Sequence, residues 1–510
     1  MRRDAFASLT RERLLRETGR LDKQAPYTVA LAYPSPYGVA MSSLGYQQIY
    51  RLIQAEPGMA CERMCLPDDA GTGPLAEEPL TLEGLRPLGA FPLVALSVAY
   101  ELEIAGVVQL LEASGLSALA VERGAHDPLV VAGGPLTFSN PLPLAPYVDA
   151  IVMGEADTLA LEVLRTARDV RDAGGKERAL AALAAVPHVF VPTHHGVELP
   201  PTARADDELL PARSAIRAPD SELGGMFLIE TERGCSRGCA YCVMRRSTNG
   251  GMRIVPAERV LALVPPGTER VGLVGAAVSD HPEIVHIVRT LAERGISVGL
   301  SSLRPDRLSD DFVAALKLGG YRTLTTAMDG ASERLRGLLE RKARVRHLER
   351  AAELTRAHGL SRLKLYLMLG VPTETDEDVD ECAAFVAELS QRIPVALAIA
   401  PFCPKRNTPL DGAPFAGIDV VTRRLARLRA RLRGRADVRG TSARFAWVEW
   451  RLAQGGLAEG LAVRAAVHAG GSFGAWRKAL DAAAPAAVDA TRRGARRKLA
   501  VVAPRSDEPS

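Results

Sequence analysis

Two successive series of short apolar runs, each run followed by a helix-patterned segment, constrain this 510-residue chain more than any other feature. In the first series YTVALAY (27–33), ACERMCL (60–66), LVALSVAY (93–100), LVVAGGP (129–135) and DAIVMGE (149–155) read as buried strands. SSLGYQQIYRLIQ (42–54), a run to Ser114 and a run to about Ala173 read as helices. The second series comprises MFLIETE (226–232), VGLVG (271–275), ISVGLSS (296–302), YRTLTTA (321–327), LKLYLML (363–369) and VALAIA (395–400), with helical patterns at 281–294, 309–318, 345–358 and 376–390. Such alternation predicts parallel sheets covered by helices, with ligands lying outside the carboxyl ends of the strands. The fold class is therefore α/β: an N-terminal Rossmann-like parallel sheet domain, a partial (β/α)6 TIM-like barrel with its chemistry on the loops after the strands, and a helical C-terminal extension.

The predicted organisation is a charged N-terminal arm (1–25), the first sheet domain (26–200), a polar linker (201–225), the barrel (226–418), the helical extension (419–482) and a disordered tail (483–510). Hydrophobic residues at 47% and charged ones at 24% give ample material for buried cores. The net charge of +4 is too near neutral to name a nucleic-acid or membrane partner. No run of about 18 uncharged apolar residues occurs, and the Met1-Arg2-Arg3-Asp4 start is followed by no apolar signal core. A cytoplasmic protein with no membrane partner is the expectation. Of seven cysteines, three fall within eight positions, which points to a metal site in a reducing compartment rather than a disulfide framework.

Cys235, Cys239 and Cys242 form Cys-x-x-x-Cys-x-x-Cys in TERGCSRGCAYC, directly after the first strand of the second series. Gly234 and Gly238 let the backbone bend around whatever the thiolates hold. Three thiolates on one loop do not close a four-ligand zinc site, whereas an iron-sulfur cube held by three cysteines keeps one iron free. A zinc knob or three unrelated thiols are the competing readings. Arg233, Arg237, Arg245 and Arg246 flank the loop and could offset its negative charge.

The spacing of the trio, Tyr241 before its last member and the six-strand series resemble the radical S-adenosylmethionine (radical SAM) superfamily. Within it, the chain resembles proteins with an N-terminal cobalamin-binding-like domain, through YPSPYGVAMSSLGYQ (33–47), DPLVVAGGP (127–135), DAIVMGEAD (149–157), SSLRPDRL (301–308), GASERLR (330–336), KLYLMLGVPTETDED (364–378) and PFCPKRNTPL (401–410). The resemblance implies that Cys235, Cys239 and Cys242 hold a four-iron four-sulfur cluster whose open iron chelates S-adenosylmethionine. One electron from an external flavodoxin- or ferredoxin-like donor then cleaves the sulfonium, and the resulting deoxyadenosyl radical attacks an unidentified substrate. It also implies that Tyr241 neighbours the adenine, and that Ser302, Arg304, Asp329 and Ser332 contact the methionine or ribose portion. The chain departs from the expected pattern at Asp329, where Glu is expected, and at Ala331, where Gly is expected.

A lower histidine ligand for cobalamin, normally in Asp-x-His-x-x-Gly after the first strand, is absent from the sequence; His126 in GAHDPLV reads as a surface residue. Cobalamin is then held, if at all, by shape and by Gly133, Gly134 and Gly154. Cys61 and Cys65 read as buried strand thiols on one face, Cys382 as core, and Cys403 as packing or a hydrogen donor at the barrel mouth. His194 and His195 read as a solvated doublet. His281 reads as the start of a helix capped by Ser279 or Asp280, with His286 on that helix. The arginines between 423 and 435 read as a solvated helix face, with RNA contact the alternative. The catalytic residues beyond the cofactor set are unknown. The leading function is a radical SAM enzyme, with methyl transfer among its reactions. The alternatives are a non-catalytic iron-sulfur electron relay or binding protein on the same fold, and an RNA-modifying methyl or methylthio transferase.

Overall fold

The structure, a computed structural model, describes residues 3–244, 251–301 and 303–483. The tail expected to be disordered thus lies outside the described residues from 484 onward. The first sheet contains β1 (Tyr27–Pro36), β2 (Met59–Leu66), β3 (Leu93–Ser97), β4 (Leu129–Gly133), β5 (Ala150–Val152) and β6 (Val189–Phe190), in the order β2-β1-β3-β4-β5-β6. All neighbours are parallel except β5 and β6. Side chains alternate across the pleat, so Val29 and Leu31 enter one core while Ala30 and Ala32 enter the other. Strand order reverses at β1 and β3, the switch point at which open α/β sheets bind ligands.

The helix Leu44–Ala55 covers one face with Tyr46 and Tyr50 wholly buried, and the helix Glu103–Ala113 covers the other. The helix predicted to end near Ala173 continues as Leu159–Ala184, broken at Gly175, whose φ is 81°. At the N terminus, the helix Arg3–Arg16 leads into Glu17, whose carboxylate grips the fully buried Arg63 of β2 at 2.7 and 2.8 Å. The charged first residues are therefore tied into the sheet by a buried ion pair.

The C-terminal helices Ala443–Gln454, Leu457–His468 and Phe473–Ala482 cover this first sheet, and the first of them also meets residues 403–415 of the second half. Val448, Leu452, Val463, Val467, Trp476 and Leu480 share one core with Val94, Leu96 and Val130. Asn140 Nδ2 donates to the carbonyls of Leu452, Ala453 and Gly455 at 3.2, 3.0 and 2.9 Å, and the Tyr147 hydroxyl donates to Gly460 O at 2.6 Å. No periodicity in the sequence announced this pairing, because it joins residues about 310 positions apart.

In the second half, β7 (Phe227–Glu230), β10 (Arg270–Val274) and β11 (Ser297–Leu300) form a parallel sheet ordered β11-β10-β7. A short antiparallel hairpin of β8 (Glu232–Gly234) and β9 (Met252–Ile254) follows β7. A second parallel sheet holds β12 (Thr323–Asp329), β13 (Arg362–Leu369), β14 (Val395–Pro401) and β15 (Ala436–Gly440) in chain order. The six predicted strands are all present. β15 escaped the sequence reading because ADVRG carries no apolar alternation and is only half-buried. The two sheets adjoin: Val298 N–H donates to Gly319 O (2.9 Å), Leu300 N–H to the Tyr321 hydroxyl (2.6 Å), and Thr326 Oγ1 to Leu303 O (2.8 Å). One apolar core runs beneath both sheets.

Between the halves, residues 201–225 lie against both. Ala212, Ser214, Ile216 and Ala218 are buried at every second position, and isolated bridges join Ala203 to Gly154 and Arg213 to Ile229. None of the described helices is long and apolar enough to cross a membrane.

Candidate functional site

The cysteine loop hangs from the β8–β9 hairpin. Gly234, with φ of 85°, turns the chain out of β8, and Cys235 N–H donates to Gly251 O at 3.1 Å, closing the base of the loop. The centre of the loop is held by two backbone bonds, Ala240 N–H to Leu339 O (3.0 Å) and Leu410 N–H to Ala240 O (3.3 Å). Cys242 N–H turns back onto Cys239 O at 3.2 Å. All three cysteines are half-buried, and burial pushes the Cys235 and Cys242 thiols above their ordinary range. The Arg237 N–H donates to the Cys235 sulfur at 3.4 Å, and the Met244 N–H donates to Cys242. Donors of this kind favour the thiolate.

The arginines flanking the loop are mostly engaged elsewhere. Arg233 grips Glu230 (2.7 Å) and Asp157 (2.6 Å), and Arg253, its partner across the hairpin, grips Glu155. The hairpin is thereby riveted to the loop after β5. Arg237 forms a forked pair with Asp280 at 2.9 and 3.2 Å. Arg245 and Arg246 lie outside the described residues. Among the described residues, Arg341 reaches a cysteine of the trio, with Nη1 4.0 Å from Cys239 Sγ. Sequence reasoning missed it; the signal was a basic run, RKARVR, after the fourth strand of the second series.

Asp329 ends β12 with φ of 61°, just beyond a register shift against β13, and this bend sets its Oδ2 2.7 Å from Arg341 Nε. The Tyr241 hydroxyl hydrogen-bonds the same carboxylate, so Tyr241, Asp329, Arg341 and Cys239 form one group. Arg304 is buried, with its guanidinium on Asp306 at 2.9 Å and 3.4 Å from Asp280. It lines a cavity of about 160 Å³ beside Ser236, Arg237 and Gly238 of the loop. Ser332 is buried elsewhere in function: its Oγ accepts from Leu335 N–H as a helix cap and donates to Asp378 at 2.5 Å. Ser302 lies outside the described residues.

The remaining expectations sort as follows. Asp280 and Ser279 cap no helix. The helix begins at Ile284, Ser279 Oγ accepts from Arg304 N–H (3.0 Å), and Asp280 is surrounded by Arg237, Arg304 and Arg307. His281 is buried, with Nδ1 accepting from Glu283 N–H at 3.0 Å and Nε2 2.8 Å from Val255 O. His195 Nδ1 accepts from Val191 N–H and its ring stacks on Phe190. Cys61, Cys65 and Cys382 are buried, as expected. Cys403 lies beside Lys405, which bridges Glu101 and Glu449 at 2.6 Å each, and burial pushes its thiol well up. Arg424, Arg427 and Arg431 pair with Glu374 and Asp380.

An apolar cleft of about 300 Å³ opens at the carboxyl ends of β1, β3, β4 and β5. Leu31, Ser97, Gly133 and Val152 line one side, while Arg233 and Met244, two residues past Cys242, line the other. Among the described residues no histidine lines it. Gly134 and Gly154 border it, but a Cβ there would meet Val98 O at 2.6 Å and Ala203 N at 2.7 Å, so the chain's own backbone demands these glycines.

A family model described as the radical SAM superfamily matches residues 229–386, which contain the whole cysteine loop, and one described as the N-terminal part of radical SAM proteins matches residues 45–192. The chain belongs to the radical SAM superfamily. An uncharacterized protein of Methanocaldococcus jannaschii is 27% identical over 345 residues, covering 66% of this chain and 71% of that one. The 2-(S-pantetheinyl)-carbapenam-3-carboxylate methyltransferase of Streptantibioticus cattleyicolor is 34% identical over 151 residues, 26% of this chain and 20% of the other. Among solved structures, the radical SAM methyltransferase TsrM from Kitasatospora setae, with cobalamin and an iron-sulfur cluster bound, superposes with a TM-score of 0.51 at 15% identity, over 78% of this chain and 75% of that one. The last likeness is one of fold. As a radical SAM enzyme, the chain uses a four-iron four-sulfur cluster and S-adenosylmethionine.

The donor set fits that cluster. Among the described residues no three Cys, His, Asp or Glu side chains converge as ligands of a single ion. A cubane takes three thiolates on three separate irons, so a trio on one loop suits it without meeting at a point.

Proposed function

We propose that Cys235, Cys239 and Cys242 hold the cluster, and that the enzyme starts a radical reaction, methyl transfer being the leading candidate, on a substrate still to be identified. When bound, the cluster and S-adenosylmethionine supply one electron and a deoxyadenosyl radical. The chain's part is positional. The Arg237 and Met244 N–H groups favour the thiolates, the Arg341–Asp329 pair and Tyr241 shape the rim beside Cys239, and Arg304 lends positive charge near Cys235. Tyr241, Arg304 and Asp329 remain the residues proposed to border S-adenosylmethionine. For Ser302 and Ser332 the same role rests on the resemblance alone, since the Ser332 hydroxyl is committed to a cap and to Asp378.

The observation that carries this reading is the trio on a loop closed at its base and anchored at its centre. Anaerobic reconstitution followed by dithionite and S-adenosylmethionine should give deoxyadenosine, and replacement of any one cysteine by Ala should abolish both the visible iron-sulfur absorbance and the product. A fully loaded wild type that makes none would favour the electron-relay reading. The two adjoining parallel sheets are proposed to act as one partial barrel (226–418) and residues 26–200 as its partner unit, in a reducing, cytoplasmic setting.

A second reading concerns the apolar cleft. Its place at the strand switch point, facing Met244 beside the cysteine loop, supports a corrinoid there, held by shape without a histidine ligand. Methyltransferase activity is stated of the carbapenam enzyme and of TsrM, and bound cobalamin of TsrM; both come to this chain only as that proposal. Cobalt analysis of protein produced with hydroxocobalamin tests it: about one cobalt per chain supports the reading, and none with a full iron complement overturns it. RNA modification is less supported, since three of the seven arginines between 423 and 435, Arg424, Arg427 and Arg431, are occupied by carboxylates.

A further inference from the structure

A second depression, of about 780 Å³, shares no lining residue with the apolar cleft and lies open beside the cysteine loop. Its charged wall sets Arg336, Arg341, Lys342, Arg344 and Arg346 against Asp306, Glu333 and Glu340, so cations outnumber carboxylates. Lys342, Arg344 and Arg346 are exposed, and among the described residues none of the three has a carboxylate within ion-pair distance, in a chain where most cations near the site do. Arg341 belongs to this wall and also reaches Cys239 Sγ at 4.0 Å, so the groove stands one guanidinium away from a cysteine of the trio. The neighbouring cavity, formed by Ser236, Arg237 and Gly238, shares Glu340 and Lys342 with the groove. The groove beside the cysteine loop thus carries an excess of positive over negative charge.

Resting on the cluster assignment above, we propose that this groove docks a small acidic electron-carrier protein, flavin-bearing or iron-sulfur, that reduces the cluster. The transfer balances as one electron: the carrier is oxidised by one, the cluster is reduced by one, and no bond is made or broken. Unpaired surface cations facing an acidic partner raise the association rate and fix its orientation. Short distance is the second requirement, met here by Arg341. RNA, the other polyanion a basic groove could take, is disfavoured because among the described residues no Phe, Tyr or Trp lines the groove to stack bases.

The test uses the full chain carrying Lys342→Glu, Arg344→Glu and Arg346→Glu together. In anaerobic stopped flow, bleaching of the cluster by reduced flavodoxin at low ionic strength should slow tenfold or more, while the dithionite rate and iron content match wild type. Added salt should slow the wild type and leave the variant nearly unchanged. A variant reduced by flavodoxin at the wild-type rate overturns the proposal. Fluorescence anisotropy on cluster-free protein provides an independent arm: labelled flavodoxin should lose affinity for the variant, and loss of a labelled RNA 20-mer alone, with flavodoxin binding unaltered, overturns the proposal. A wild type that assembles no cluster would refute the cluster assignment, and the anisotropy arm would still decide the groove.

Discussion

Asp280 holds Arg237 in a two-pronged pair, Oδ2 to Nε at 2.9 Å and Oδ1 to Nη2 at 3.2 Å, fastening the first turn of the cysteine loop to the segment after β10. Burial works against ionisation of Asp280, yet Arg237, Arg304 and Arg307 together hold its carboxyl below the usual range. Replacing Asp280 with Ala leaves three cations without their shared partner. Iron retained after anaerobic desalting should fall to less than half of wild type, and unfolding should cost about 3 kcal/mol less. Wild-type iron content in the variant would show that the loop does not need this anchor.

Glu232 is fully buried, accepting from Ala277 N–H (2.9 Å) and the Thr231 hydroxyl (2.5 Å), and burial pushes its pKa up from 4.5 to about 7. The folded state therefore holds this proton more tightly than the unfolded chain. Its contribution is complete below about 4.5 and is lost as pH rises through about 7. A shift of that size corresponds to about 3 kcal/mol. Glu232→Gln should be more stable than wild type at pH 8 by up to that amount and no more stable at pH 4, as read by urea unfolding at both values.

Glu17 sits at the end of the N-terminal helix and meets Arg63, which has no solvent exposure; Glu83 takes the same guanidinium at 2.7 Å, and the Tyr37 hydroxyl donates to Glu17. Glu17→Ala should cost about 3–5 kcal/mol, since half the compensation of a buried cation is removed. Denaturant unfolding followed by tryptophan fluorescence measures it. A loss under 1 kcal/mol would mean that the first residues merely lie on the surface.

Gly154 carries φ of 89° and would bring a Cβ to 2.7 Å from both Ala203 N and Ala203 O. Gly154→Ala should destabilise by about 2 kcal/mol or more through left-handed strain and displacement of the strand-like segment at Ala203. Thermal unfolding of the variant checks this, with an unchanged midpoint counting against it.

What the sequence disclosed follows from periodicity and spacing. Strands such as LKLYLML and VALAIA were readable because they are apolar enough to be core in any arrangement, and the cysteine spacing named its own chemistry. The β8–β9 hairpin was not readable: ERG and MRI are half-polar and acquire strand geometry only by pairing with each other across the loop. Asp280 looks like a helix cap because Ser-Asp precedes an apolar period, yet Arg237 of the cysteine loop and Arg304 and Arg307 of one turn after β11 outcompete that local role. Arg341 is the converse case. Nothing in its neighbours distinguishes it from surface charge until the bend at Asp329 and the anchoring of Ala240 to Leu339 bring its segment against the loop.

The bonds from Asn140 and Tyr147 to the helices after residue 443 bear on how this chain comes off the ribosome. The earliest-made sheet lacks its outer wall until nearly everything else has been synthesised, so during translation its apolar face awaits a cover still to emerge. Nascent chains stalled before residue 443 should accordingly be held by chaperones and be readily cut by protease within the first sheet, whereas chains released at full length should resist.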